Sequence, residues 1–241
     1  MRFINSYQDF LRAKAYAKLE FPGTYYLAYR DLPEILNEYA SGLKALDFGC
    51  GTGRSTRFLQ KLGFETIGVD IAEKMINQAK EIDPNGDYRL VEEDLSQFKN
   101  NTYNLVLSVF TFDNIPTKEN KVNNLQEITR ILKKGGIFVN LVSSPEIYTH
   151  EWASFSTKDF PENKRAKSGD VVRIIITEID DKRPVEDVLW LDEDYKDVFE
   201  ESKLELIATH KPLAKETEIY NWVNEKMIAP WIIYVLKDGN K

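Results

Sequence analysis

From residue 43 onward, short apolar runs alternate with longer stretches in which apolar side chains return every third or fourth position. The runs 43–48, 65–69, 87–91, 103–109 and 136–142 have the length and composition of buried strands. Between them, three apolar stripes mark the inward faces of helices: Phe58, Leu59 and Leu62; Ile71, Met75, Ile76, Ala79 and Ile82; Val122, Leu125, Ile128 and Leu132. Gly63, the turn Asp83-Pro84-Asn85-Gly86 and the run Lys133-Lys134-Gly135-Gly136 close those helices. This alternation predicts an α/β fold, a doubly wound and mostly parallel sheet covered on both faces.

The flanks read differently. Residues 1–40 look helical, and Asp31-Leu32-Pro33-Glu34 has the form of a capped helix start ahead of the stripe Leu32, Ile35, Leu36 and Tyr39. After residue 142 the alternation stops. Residues 143–170 are polar and aromatic without a period, and 171–179 and 185–191 read as an antiparallel hairpin. A short helix opens at Asp192 with Val198 and Phe199 inward, and strands 204–209 and 231–236 are placed to close the sheet. The expected organisation is one domain over 1–241: a helical cap (1–40), a binding core (41–142), a substrate-side insertion that acts as a lid (143–191), and a C-terminal helix with closing strands (192–241).

Composition narrows the classes. At 241 residues the chain can bury one good core, and no apolar run approaches the ~20 residues of a membrane span. Residues 1–5 lack the apolar core of a secretory leader. A single cysteine, Cys50, excludes an internal disulfide framework and suits a reducing cytoplasm. Two distant histidines without paired cysteines argue against a metal site. A net charge of −7 disfavours nucleic acid as partner, since the one basic cluster, Lys164-Arg165-Ala166-Lys167, sits beside Glu162 and Asp170.

The chemistry concentrates where the first strand meets its helix. Asp47-Phe48-Gly49-Cys50-Gly51-Thr52-Gly53 places three glycines at alternate positions after an acidic strand end. Glycine lets backbone approach a ligand closely, and the helix that follows offers unpaired N–H groups. Asp70 ends the second strand 17 residues beyond the last glycine, where a carboxylate can hold two ribose hydroxyls. The dinucleotide fingerprint G-x-G-x-x-G fails: Arg54 occupies its third position counted from Gly49, and Thr56 does so counted from Gly51. Asp47 would repel a pyrophosphate but suits an ammonium or a sulfonium.

With that motif the chain resembles the class I S-adenosylmethionine (AdoMet)-dependent methyltransferases, strongly over 43–142 and loosely over the C-terminal strands. The resemblance implies a seven-stranded sheet in the order 3-2-1-4-5-7-6 and AdoMet as cofactor, with no metal. Asp47, Gly49, Cys50, Gly51 and Gly53 would then surround the methionine moiety, with Cys50 a small residue tolerated in the turn. Asp70, Ile71 and Met75 would follow the ribose and adenine, although Met75 also fits the core stripe. Asp94 and Leu95 would meet the adenine, with Glu93 as the register alternative, and Ser108 and Phe110 would flank the methionine tail.

Methyl transfer is an in-line displacement from an activated leaving group, so alignment and exclusion of water dominate. Tyr25, Tyr26, Tyr29, Asn114, Tyr148 and Trp152 are the candidate acceptor walls. A base is needed only for an acceptor that arrives protonated. His150 is the candidate, against the plainer reading of a loop histidine. Ser108-Val109-Phe110-Thr111 does not resemble the Asn/Asp-Pro-Pro-aromatic signature of amino-methylating nucleic-acid enzymes. A small molecule methylated at N, O or C is the expected acceptor. The alternatives are an AdoMet-binding sensor or partner subunit without turnover, and an NAD(P)-dependent oxidoreductase.

Overall fold

The computed structural model describes residues 9–17, 21–92 and 94–239. Residues 1–8, which carry the expectation of no leader, and Glu93 lie outside the described residues. Three helices come first, α1 (Phe10–Tyr16), α2 (Thr24–Arg30) and α3 (Leu32–Tyr39). The alternating region follows as β1 (Lys44–Phe48), α4 (Arg54–Lys61), β2 (Glu65–Asp70), α5 (Glu73–Ile82), β3 (Asp87–Leu90), β4 (Tyr103–Val109), α6 (Lys118–Ile131) and β5 (Leu132–Ser143). The remainder is β6 (Phe155–Ser156), β7 (Val171–Ile176), β8 (Val185–Val188), α7 (Asp192–Glu201), β9 (Leu204–His210) and β10 (Trp231–Asp238).

The main sheet has seven strands in the order β3-β2-β1-β4-β5-β10-β9. β1, β2, β3, β4 and β5 pair in parallel, and β10 is antiparallel to both β5 and β9. This is the expected order once the inserted sheet β6-β7-β8 is counted separately. Side-chain alternation divides the core. Leu105, Leu107, Val139 and Leu141 pack under α2, α3 and the inserted sheet. Val106, Phe138, Val142 and Tyr234 pack under α6 and α7, against Leu125, Ile128, Val198 and Phe199. At roughly 1.5–3 kcal/mol per buried large apolar side chain, these two layers are what hold the sheet between its covers.

Several local expectations are corrected. Asp31 makes no side-chain cap, because Arg30 takes both of its carboxylate oxygens at 2.7 and 2.8 Å. The stop at residues 133–136 is absorbed into β5, which starts directly after α6 and shifts register opposite Tyr103 and Leu105. Gly135, at φ +74°, gives that irregularity a residue able to adopt it. Ile71 and Ile82 stand 52% and 42% exposed, so only Met75, Ile76 and Ala79 form the inward face of α5. The hairpin is shorter than its apolar runs, with Val171 facing Val188 and Ile174 facing Val185, and β6 adds a third strand along Ile175 and Ile176.

A buried polar network seats α2. The Thr24 amide donates to Ser154 Oγ at 3.0 Å, its hydroxyl donates to Glu225 Oε1 at 2.7 Å, and its carbonyl accepts from Trp231 Nε1 at 2.8 Å. The N-terminal helices are thereby tied to the inserted region and to β10, which brings distant segments to the carboxyl edge of the parallel strands.

Candidate active site

The glycine turn is held from below and open above. The amides of Gly49 and Cys50 both donate to Val69 O at 2.9 Å, locking the turn onto the end of β2. Gly49 sits at φ +72°, and a Cβ there would fall 2.1 Å from Thr111 Oγ1, so no larger residue fits. Gly51 is different: at φ +53° a Cβ would meet nothing within 4 Å. Its amide donates to Asp70 Oδ2 at 2.8 Å, while Asp70 Oδ1 accepts from the Ala72 amide at 2.8 Å. Each Asp70 oxygen keeps a further lone pair for a ligand hydroxyl. Loss of water around Asp70 raises its pKa, against the lowering effect of these amide donors.

Asp47 is fully buried beneath the turn. Its Oδ2 accepts from the hydroxyls of Ser55 and Thr56 at 2.7 and 2.6 Å, and its Oδ1 has no partner among the described residues. Burial pushes its carboxyl up to about 6, against those two hydrogen bonds. Asp47 therefore clamps the first turn of α4 to β1 and leaves one acceptor unused. Cys50 is buried against Ile76, Ala79 and Tyr88, and burial raises its thiol pKa, as befits a small packing residue. Arg54, at the start of α4, places its guanidinium 4.9 Å from the Tyr25 ring centroid and 5.4 Å from that of Tyr29.

The other expected cofactor residues divide by exposure. Ile71 projects from the carboxyl edge beside Asp70, and the exposed Asp94 forms a turn by accepting from the Ser96 amide and hydroxyl at 3.0 and 2.7 Å. Those bonds hold the Asp94 carboxyl below its ordinary range. Met75 is 2% exposed and packs on Ala13 and Ala72, so its side chain belongs to the core. Leu95 is likewise buried, among Phe98, Val106 and their neighbours. Ser108 alternates with Leu107 and Val109 and so shares the face of Val106, where its buried hydroxyl has no partner among the described residues.

Beside the turn lies a narrow cavity of about 40 Å³, room for a few waters. Tyr25, Phe110, Phe155 and Trp231 supply aromatic walls, and Asp113, Asn114, Tyr148 and Asp187 supply polar ones. Phe110 marks the junction with the strand ends. It is a non-glycine residue at φ +61°, fixed by its amide donating to Leu141 O at 2.8 Å and its carbonyl accepting from Asn114 Nδ2 at 3.2 Å. Tyr25 joins the two halves, with its ring 6.0 Å from Phe110 and the Arg54 guanidinium on it.

Of the expected acceptor residues, Tyr25, Asn114 and Tyr148 reach this cavity. Tyr26 packs instead on Tyr220 at 5.1 Å, and Tyr29 on Phe21 and Phe58 at 4.5 and 5.1 Å. Trp152 is buried and donates its indole N–H to Ile147 O at 2.9 Å. His150 does not line the cavity: its Nδ1 lies 3.1 Å from Glu146 O and 3.0 Å from Thr149 Oγ1, within its own turn. That local bonding withdraws it from the acceptor side.

Sequence reasoning singled out neither of the two carboxyls that line this cavity. Asp113 is buried and accepts from the Ser143 amide at 3.0 Å, and Asp187 accepts from the Tyr148 hydroxyl at 3.0 Å. Burial raises both carboxyls, and the negative charge of Asp113 raises Asp187 further. Nearby Lys121 is fully buried, donates to Phe112 O, and is lowered by desolvation. A signal for Asp187 existed: period-2 reading of β8 puts it on the inward side with Val185. Among the described residues, no group of three or more His, Cys, Asp or Glu side chains is arranged to hold a metal ion.

Residues 46–140 match a family described as a methyltransferase domain. The chain is 32% identical over 149 residues to an uncharacterised protein of Methanocaldococcus jannaschii, covering 62% of this chain and 54% of that one. It is 30% identical over 160 residues to a demethylmenaquinone methyltransferase of Staphylococcus saprophyticus, covering 53% and 67% respectively. It spans about half the length of several curated relatives that it matches. The crystal structure of the CcbJ methyltransferase from Streptomyces caelestis shares the fold, with a TM-score of 0.65, 18% identity and coverage of 97% and 98%. The chain belongs to the class I, Rossmann-like AdoMet-dependent methyltransferase family.

Proposed function

We propose that this protein transfers a methyl group from AdoMet to a small-molecule acceptor, acting as one cytoplasmic domain. The observation that carries this reading is the juxtaposition of an open glycine turn, with Gly51 facing free space and Asp70 at its rim, and a partly aromatic cavity next to it. The residues fit the cofactor. Asp70 has lone pairs for the ribose, Ile71 offers an apolar surface for the base, and Gly51, with open space where a Cβ would be, lets backbone approach the methionine part, while Gly49 and Gly53 close the turn on Thr111 and Tyr88. Asp94 would accept from the adenine amino group, and the unused Oδ1 of Asp47 would lend negative potential under the amino-acid end.

Bound there, AdoMet supplies a methyl group already activated on a sulfonium. The chain's task is positioning and desolvation: orientation contributes about 7–11 kcal/mol in favourable cases. Phe110 and Tyr25 wall the junction where acceptor and methyl group would meet, and Ile174, Ile176 and Val185 of the inserted sheet add apolar walls that would limit water. The small size of the cavity supports a small acceptor, and the net charge of −7 does not favour a polyanion. Relatives named for demethylmenaquinone and ubiquinone biosynthesis support an acceptor of small-molecule size.

Calorimetric titration with AdoMet tests the cofactor reading, and absence of binding at millimolar ligand removes it. Screening metabolites for release of S-adenosylhomocysteine tests catalysis. Tight binding without turnover of any acceptor would favour a sensor, and a change in NADH fluorescence on mixing would favour an oxidoreductase.

A further inference from the structure

Two buried carboxyls face one aromatic-walled space without a direct ion pair among the described residues. Neither Asp113 nor Asp187 forms an ion pair within 4.0 Å among the described residues: Arg12 spends its guanidinium on Asp181 at 3.5 Å and on the carbonyls of Arg183 and Pro184. Lys121 is directed at Phe112 O and lies over the Trp190 ring at 4.9 Å. It remains the one buried ammonium close to two buried carboxyls. A cation admitted to the cavity would meet carboxylate oxygens on its polar side and ring faces on the other, and both attract positive charge.

Resting on the methyl-transfer reading above, we propose that the acceptor is a small amine. It is held as its ammonium ion by Asp113 and Asp187 against Tyr25, Phe110, Phe155 and Trp231, and Asp187 takes the proton that frees the nitrogen lone pair. The chemistry balances without a further reactant. The N–H proton passes to the Asp187 carboxylate and leaves a neutral amine. The nitrogen lone pair forms the N–C bond as the C–S bond breaks, and sulfur leaves with that electron pair as a neutral thioether. Tyr148, donating to Asp187 Oδ2 at 3.0 Å, fixes the orientation of the accepting carboxylate. The proposal gives Asp187 the role for which His150 was the sequence candidate.

An ammonium mimic that cannot titrate or react separates recognition from turnover. Tetramethylammonium is titrated into protein saturated with S-adenosylhomocysteine, with tert-butanol as the neutral comparison. The expected result is at least tenfold tighter binding of the cation, and a tenfold or greater loss in Asp113→Asn and in Asp187→Asn, with S-adenosylhomocysteine affinity within about twofold. Affinity for the cation rises with pH as the two carboxyls ionise. Beside the two carboxyls, the charged or titratable groups near Asp187 are Lys121, Tyr148, Arg12 and Tyr195; they remain in both variants, so a flatter profile in Asp187→Asn reports the carboxylate itself. Equal binding of tert-butanol, absence of cation binding, or unchanged affinity in both folded variants overturns the proposal. Failure of the unsubstituted protein to bind S-adenosylhomocysteine overturns the cofactor reading, and the same titration distinguishes the two failures. Circular dichroism confirms that each variant is folded.

Discussion

The cofactor side and the acceptor side of this site are built in opposite ways. The proposed cofactor side centres on one stretch, Asp47 to Ala72, in which a strand end, a glycine turn and the next strand end bond to one another at short sequence separation, with only Asp94 added from beyond β3. The second is assembled from α2, the segments after β4 and β5, the inserted strands and β10, which meet only in the folded chain. One ligand shape shared by a family can be served by a local motif. An acceptor that varies between members is served by whatever long-range packing brings together.

The contrast can be broken most severely at Gly49. Gly49→Ala forces a side chain into φ +72° and into Thr111, and is expected to cost ~3 kcal/mol of stability by strain and overpacking. A thermal melt reads the loss, which should appear without any change in the lining of the acceptor cavity. Asp70→Ala follows, weakening AdoMet at least tenfold, about 1.4 kcal/mol, by calorimetry. It removes the ribose acceptor and also frees the Gly51 and Ala72 amides.

On the acceptor side the expected effects depend on pH. Asp113 and Asp187 have folded-state pKa values raised above those of the unfolded chain, so the folded state binds the extra protons. Their burial is harmless below about pH 4, the ordinary carboxylate range, and costs progressively more stability as pH rises through their raised values. Lys121, lowered by burial, contributes the opposite slope towards alkaline pH. Asp187→Asn is therefore expected to raise the melting temperature of the unliganded protein by a few degrees at pH 8, and to leave it unchanged near about pH 4. An equal effect at both pH values would show that packing, and not ionisation, is responsible. Smallest of all, His150→Ala should leave turnover of the true acceptor within about twofold, because the ring bonds only within its own turn.

What could be read from the sequence follows the same division. The strand runs and the Asp47–Asp70 turn were legible because period, glycine spacing and strand-end carboxylates act locally, whereas the sheet order came from the family resemblance. Tyr25, Asn114 and Tyr148 were candidates from the tyrosine-rich flank and from segments just past strand ends, and all three line the cavity. Tyr26, Tyr29 and Trp152 carry the same signal but spend it on packing, since aromatic residues serve cores as readily as pockets. Phe155 and Trp231 were invisible as site residues because their place depends on the Thr24 network that docks α2 on β10. Asp31 and the start of β5 were misread where a neighbour, Arg30 or Tyr103, offered better partners than the local rule.

Tyr25 gives the two halves a common wall, with Arg54 of the cofactor side and Phe110, Phe155 and Trp231 of the acceptor side all against its ring. If the two halves fill as proposed, a ligand that fixes this ring in one orientation would lower the ordering cost for the other, and the factor by which the first improves the second's affinity would be returned in full. One tyrosine on a seven-residue helix would then be the point through which each ligand senses the other.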